Sequence, residues 1–107
     1  SPEAQAALRI IREQACAGLT AASVAAKLAV SRSTLDRLLR QAVGQSATAS
    51  IMNVRLTQVR ADLVGTDLPL KAVAKRAGFT SVQHLSNLFR DRVGVTLGRY
   101  RQDMRHT

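Results

Sequence analysis

Cysteine, proline and aromatic residues are nearly missing from this 107-residue chain. One cysteine, Cys16, cannot build a disulfide framework, and no Cys-x-x-Cys pair offers zinc a grip. Two prolines and three aromatics, Phe79, Phe89 and Tyr100, argue against an all-β chain, because strands favour aromatic and β-branched side chains. No apolar run reaches the roughly 18 residues that a membrane span needs. No basic-then-apolar leader with a cleavage site opens the sequence, so a cytoplasmic setting is expected. Acidic residues are also scarce. Seven Asp+Glu stand against 16 Lys+Arg, a net charge of +9. Such an excess favours a polyanionic partner: DNA, RNA or an anionic membrane surface.

What is present is helical spacing with helix punctuation. Ala7, Leu8, Ile11 and Ala15 recur at helical intervals, and Gly18 is expected to close that helix. Thr20, Ser31, Ser46, Ser81 and Thr96 stand where N-caps belong, and Gly44, Gly65, Gly78 and Gly94 where helices stop. Pro69 fits a first helical position, where a missing N–H costs nothing. Met52, Leu56, Val59 and Leu63, spaced 4, 3 and 4, form one apolar stripe on a long helix. The expectation is an all-α chain of about seven helices and no strands.

An internal repeat organises these helices. Val24-Ala25-x-x-Leu28-Ala29-Val30 returns as Val73-Ala74-x-x-Ala77-Gly78-Phe79. Leu38-Leu39-Arg40-x-x-Val43-Gly44 returns as Leu88-Phe89-Arg90-x-x-Val93-Gly94. Each copy reads as a helix-turn-helix. Small Ala25 or Ala74 allows a close helix crossing, Ala29 or Gly78 occupies a turn that favours positive φ, and Val30 or Phe79 plugs the corner. Leu35 and Leu38 are expected to face back onto the preceding helix. The second helix of such a unit lies in the DNA major groove. Its outward residues are then Arg32, Ser33, Asp36, Arg37 and Arg40 in the first copy. In the second copy they are Val82, Gln83, His84, Ser86, Asn87 and Arg90. An arginine such as Arg37 can fork onto guanine O6/N7, and the amides of Gln83 and Asn87 match adenine N6/N7. Val82 suits a thymine methyl group. Asp36 either accepts from cytosine N4 or pairs with Arg40 one turn on. Lys27, Arg55, Lys71, Lys75, Arg76, Arg99 and Arg101 suit phosphates, as do the helix N-termini at Ser31 and Ser81.

These stretches resemble the DNA-binding domain of the AraC/XylS family of bacterial transcription regulators. The resemblance runs through Leu19-Thr20 to Ala29, Ser31 to Gly44, Arg55-Leu56, Leu68-Pro69-Leu70, Ala74 to Phe79, Leu88-Phe89-Arg90 and Val93-Gly94-Val95-Thr96 with Tyr100-Arg101. Ile10-Ile11-Arg12-x-x-Ala15-Cys16-x-Gly18 and Val30-Ser31-Arg32-Ser33-x-Leu35 are similar to the branch regulating xylose operons. The resemblance implies one AraC-type domain over 1–107: a first helix-turn-helix unit at 18–46, a linker helix at 47–65 and a second unit at 66–103. It implies sequence-specific binding of double-stranded DNA by an activator of a sugar-utilisation operon, with two recognition helices in adjacent major-groove segments. Base contacts are implied at Arg32, Ser33, Asp36, Arg37, Val82, Gln83, His84, Ser86 and Asn87. Phosphate contacts are expected at Ser31, Arg40, Arg55, Lys71, Ser81 and Arg90. RNA polymerase is implied as a further partner. Dimerisation and the sugar effector are assigned to a preceding domain that these residues do not encode, which makes the chain read as a C-terminal piece. The sequence departs from the family at Leu39, where Phe is common, at His84-Leu85, in place of an aromatic pair, and at Leu97, in place of Pro.

Rival functions fare worse. Cys16, His84 and His106 show no acid–His–Ser or metal-ligand spacing, so no enzyme, cofactor or metal site is expected. Single-stranded RNA readers stack bases on exposed aromatics, and Phe79 and Phe89 are needed as core plugs. A membrane-surface helix gathers its cations on one face, whereas here they scatter over most helices. A helical protein-interaction adaptor without sequence-specific DNA binding stays open at this level.

Overall fold

Backbone groups at helix ends need partners, and this chain supplies them from short hydroxyl side chains. Among the described residues, six of the seven helices begin at a serine or threonine whose oxygen accepts an N–H of the first turn. A computed structural model describes residues 1–105; His106 lies outside the described residues. Its helices are α1 (Pro2–Gln14), α2 (Ala21–Lys27), α3 (Arg32–Val43), α4 (Ala47–Gly65), α5 (Leu70–Arg76), α6 (Val82–Val93) and α7 (Leu97–Arg105), with no strand among the described residues. At Thr20 the cap is reciprocal. Its hydroxyl accepts from the Ser23 N–H at 3.1 Å, while the Ser23 hydroxyl accepts from the Thr20 N–H at 3.1 Å.

Two details of the punctuation differ from expectation. Gly18 closes a 3-10 turn over Ala15–Ala17 rather than α1 itself. Pro69 is the N-cap of α5, and the helix proper begins at Leu70. Its extended backbone (ψ 154°) keeps it outside the helix.

The chain divides into two compact units, Ser1–Arg55 and Leu56–Thr107, with the division inside α4. In the first unit Ala7, Ile11, Val24, Ala25, Leu35, Leu39, Ala47 and Ile51 form one buried cluster. In the second, Leu56, Val59, Leu63, Val73, Ala74, Phe79, Leu85, Phe89 and Leu97 are buried. The stripe expected on α4 is therefore two stripes in succession. Ala47 and Ile51 serve the first core, and Leu56, Val59 and Leu63 serve the second. Met52 is only half-buried. A helix shared by two cores need not keep one apolar face along its length.

Each unit carries the repeated corner. After α2, the Ala29 N–H bonds the Ala26 carbonyl and the Val30 N–H bonds the Ala25 carbonyl. After α5, Gly78 bonds Lys75 and Phe79 bonds Ala74 in the same register. This double bond pattern requires a left-handed residue at the turn. Gly78 takes it at φ 92°, and Ala29 takes it at φ 56°, the one non-glycine with positive φ among the described residues. The helix after each corner buries an i, i+4 pair at 0% exposure: Leu35 with Leu39, and Leu85 with Phe89. Leu38 is half-buried, so Leu39 takes the inward place that Leu38 was expected to fill. Leu97 opens α7 at the first helical position, which explains why proline is tolerated there, and its side chain is buried. Tyr100 packs edge-on against Phe89 with ring centroids 5.4 Å apart.

The two corners predict substitutions of opposite sign. Ala29→Gly removes a left-handed Cβ and should raise stability by about 0.5–1 kcal/mol, once the entropy of glycine is deducted. Gly78→Ala should lower it by roughly 1 kcal/mol. Urea unfolding midpoints at constant m-value check both.

Candidate nucleic-acid interface

The outward faces of α3 and α6 follow from their buried pairs. With Leu35 and Leu39 fixed inside, helical geometry turns Arg32, Ser33, Arg37 and Arg40 to solvent, and all four are exposed. Ser31, also exposed, caps the helix by accepting from the Thr34 N–H at 3.0 Å. Three guanidiniums thus stand with two serines on a short surface, a donor-rich face suited to phosphates and guanine edges.

On α6, burial of Leu85 and Phe89 leaves Gln83, His84, Asn87 and Arg90 exposed, with Val82 and Ser86 half-buried. Ser81 caps the helix through the His84 N–H at 3.0 Å. Gln83 donates its side-chain N–H to the Asn87 carbonyl oxygen at 3.0 Å, one turn along. The two amides form a paired surface that still offers the Gln83 oxygen and the Asn87 amino group. The His84 ring meets Phe79 edge-on, 5.8 Å between centroids. Beside the helix start, a cleft of about 440 Å³ opens between Lys71, Lys75, Thr80, Ser81 and Val82. Val82 therefore borders open space despite its partial burial. Thr80 escaped the sequence reading, because only the folded corner turns its position toward this cleft. A second cleft, about 200 Å³, is lined by Gln83, Ser86, Asn87, Arg90 and Thr96.

One expected phosphate contact is overturned, and one expected base contact is tied into the fold. Arg55 is 8% exposed and holds no phosphate-facing position. Its Nε donates to the Ala15 carbonyl and one terminal nitrogen to the Leu19 carbonyl, each at 2.8 Å. Burial lowers its pKa, and the neighbouring Cys16 opposes that shift. An arginine stays charged regardless. Asp36 is half-buried, and one of its carboxylate oxygens is engaged within the fold rather than with Arg40. Its Oδ1 accepts the Ala47 N–H at the start of α4, at 2.9 Å.

Several other cations are engaged within their own unit. Arg76 donates to buried Asp62 at 2.9 Å, and hydrogen bonding to that carboxylate together with its charge raises the Arg76 pKa. Gln58 donates to the same carboxylate at 3.1 Å. Arg101 donates to the Leu63 carbonyl at 3.0 Å and to the Thr66 carbonyl at 3.2 Å, closing the end of α4. Arg99 pairs with Asp103 at 3.0 Å on the surface, a weaker tie. Lys71, Lys75, Arg40 and Arg90 are exposed.

A family model described as a helix-turn-helix domain matches residues 24–103. The chain is 36% identical over 87 residues to a transcriptional activator, NphR, of a Rhodococcus species, covering 81% of this chain and 26% of that protein. It is 28% identical over 95 residues to the xylose operon regulatory protein of Escherichia coli, covering 89% of this chain and 24% of that one. The chain thus spans about a quarter of the length of these curated relatives. Among solved structures, it is similar to the DNA-binding domain of AdpA, a global transcriptional factor in complex with a target DNA. That likeness has a TM-score of 0.88 and 27% identity, covering 99% of this chain and 95% of that one.

Removing the Arg55 side chain should leave two carbonyls without their donor. Arg55→Ala is expected to cost about 1–3 kcal/mol of stability. Arg55→Lys should recover only part, since one ammonium lacks the fork that reaches both oxygens. Thermal melts of the three proteins check this.

Proposed function

The chain belongs to the AraC-type helix-turn-helix family of DNA-binding transcription regulators, and from that premise we propose that it reads double-stranded DNA with both α3 and α6. The single observation that carries this reading is the sorting of each helix. Its i, i+4 apolar pair is wholly buried, and a row of arginines or amides is left in water. Solvated rows of that chemistry match base edges and phosphates. In this reading Arg32, Ser33 and Arg37, and Val82, Gln83, His84, Ser86 and Asn87, face bases in adjacent major-groove segments. Ser31, Arg40, Lys71, Ser81 and Arg90 meet phosphates, joined by Lys75 and Thr80 along the α5–α6 cleft.

The likeness to a xylose operon regulator and to a transcriptional activator supports a sugar-responsive activator that works in the cytoplasm on the nucleoid. Sugar sensing and dimerisation then belong to a further domain, and RNA polymerase is a partner of the whole regulator. The family is one of regulators rather than enzymes, and no catalytic role is proposed.

In-vitro selection of bound duplexes at two salt concentrations tests the reading. Log K should fall with log salt by about 0.9 for each neutralised phosphate. An adaptor would select no duplex. Arg37→Ala should cost roughly 1–3 kcal/mol on the selected site and much less on random DNA. Equal losses on both would reassign Arg37 to a phosphate. Gln83→Ala should relax base preference in the other half-site only, as read from the selected sequences.

A further inference from the structure

Building on the DNA reading above, we propose that Asp36 is a positioning residue. It sets the roll of α3, and with it the base preference of Arg32, Ser33 and Arg37 as a group, rather than reading any base itself.

Within α3, only Leu35 and Leu39 are buried. They form a narrow, fully buried line, with Thr34 and Leu38 half-buried on one side of it. Apolar contact has no directional preference, so such a line resists rotation about the helix axis weakly. Asp36 lies about 100° around the helix from Leu35, on the flank between the core and the exposed arginines. It is half-buried there. Its Oδ1 accepts the Ala47 N–H at 2.9 Å. That N–H is the first of α4, a donor with no partner inside its own helix, at the positive end of a 19-residue element. Ser46 serves the Ala49 N–H two residues on. A charge-assisted bond of this kind has direction as well as strength. It pins one flank of α3 to the start of α4.

The scale of the effect is set by lever length. A roll of about 10° moves a side-chain tip some 6 Å from the helix axis by roughly 1 Å. Hydrogen bonds that distinguish bases tolerate less than that. A carboxylate on a face otherwise lined by Arg32, Arg37 and Arg40 would also repel the DNA backbone if left free. Its engagement with α4 turns that charge to structural use. The repeat sharpens the point. Fifty residues on, Ser86 stands where Asp36 does, and Leu97 stands where Ala47 does. The carboxylate is a device of the first unit.

The test compares wild type with Asp36→Asn, Asp36→Glu and Asp36→Ala, by in-vitro selection and by hydrogen exchange of the Ala47 amide. Asparagine keeps an acceptor at the same reach, so its selected site should stay within about twofold of wild type at every position. Glutamate is a methylene too long, and alanine has no acceptor. Both should flatten preference at all positions of the first half-site together, roughly tenfold each, with the second half-site kept. Ala47 exchange should quicken in those two variants alone. Loss of preference at one base pair in Asn and Ala alike would make Asp36 a base reader and overturn the proposal. So would four identical profiles. If the alanine variant does not fold, the contrast of Asn with Glu decides by the same criteria. A wild type that selects no duplex would sink the DNA reading itself, while Ala47 exchange still reports whether the clamp exists.

Discussion

The left-handed corner after α2 and again after α5 is the constraint on which each unit depends. A short helix must stop within two residues and let the next helix cross it closely. The paired bonds from Val30 to Ala25 and from Phe79 to Ala74 stop it. Small Ala25 and Ala74 permit the crossing. Only then do Leu35 with Leu39, and Leu85 with Phe89, reach the core. Burial of those pairs in turn decides which side chains of α3 and α6 remain in water. The exposed rows are a consequence of the corner rather than an independent design. Ala29 bears a conformational cost of about 1–2 kcal/mol at this corner, which the packing around it must offset.

Helix ends and the turns beyond them also leave carbonyls without intrahelical partners. This chain answers with arginine. Arg55 closes Ala15 and Leu19, and Arg101 closes Leu63 and Thr66. A guanidinium suits this work because its planar fork meets two oxygens at once. Asp62, 4% exposed, is served by Gln58 and Arg76. The formal charge of +9 therefore overstates what faces a partner, because part of it is committed inside each unit. The exposed remainder on α3, α5 and α6 carries the long-range attraction to polyanions.

Much of this was legible in the sequence. The caps at Thr20, Ser31 and Ser81, the positive-φ corners at Ala29 and Gly78, and the seven helices depend on interactions spanning a few residues. Local chemistry announces such interactions. The repeat identified the two corners because the same packing demands the same small and apolar residues at the same spacing. Exposure of Arg32, Arg37, Gln83 and Asn87 followed from helical periodicity once the buried face was assigned, although the inward residue proved to be Leu39 instead of Leu38.

The roles of individual charged residues were decided elsewhere. Arg55 bonds carbonyls 36 and 40 residues away, and Asp36 bonds an amide 11 residues away. Neither partner is marked in the sequence, since every residue but proline carries the same backbone N–H and C=O. Sequence by itself determined the helices, most of their caps and their doubled arrangement, because those depend on neighbours along the chain. Tertiary structure alone decided which charges face inward, because that depends on which backbone groups folding brings within hydrogen-bond reach.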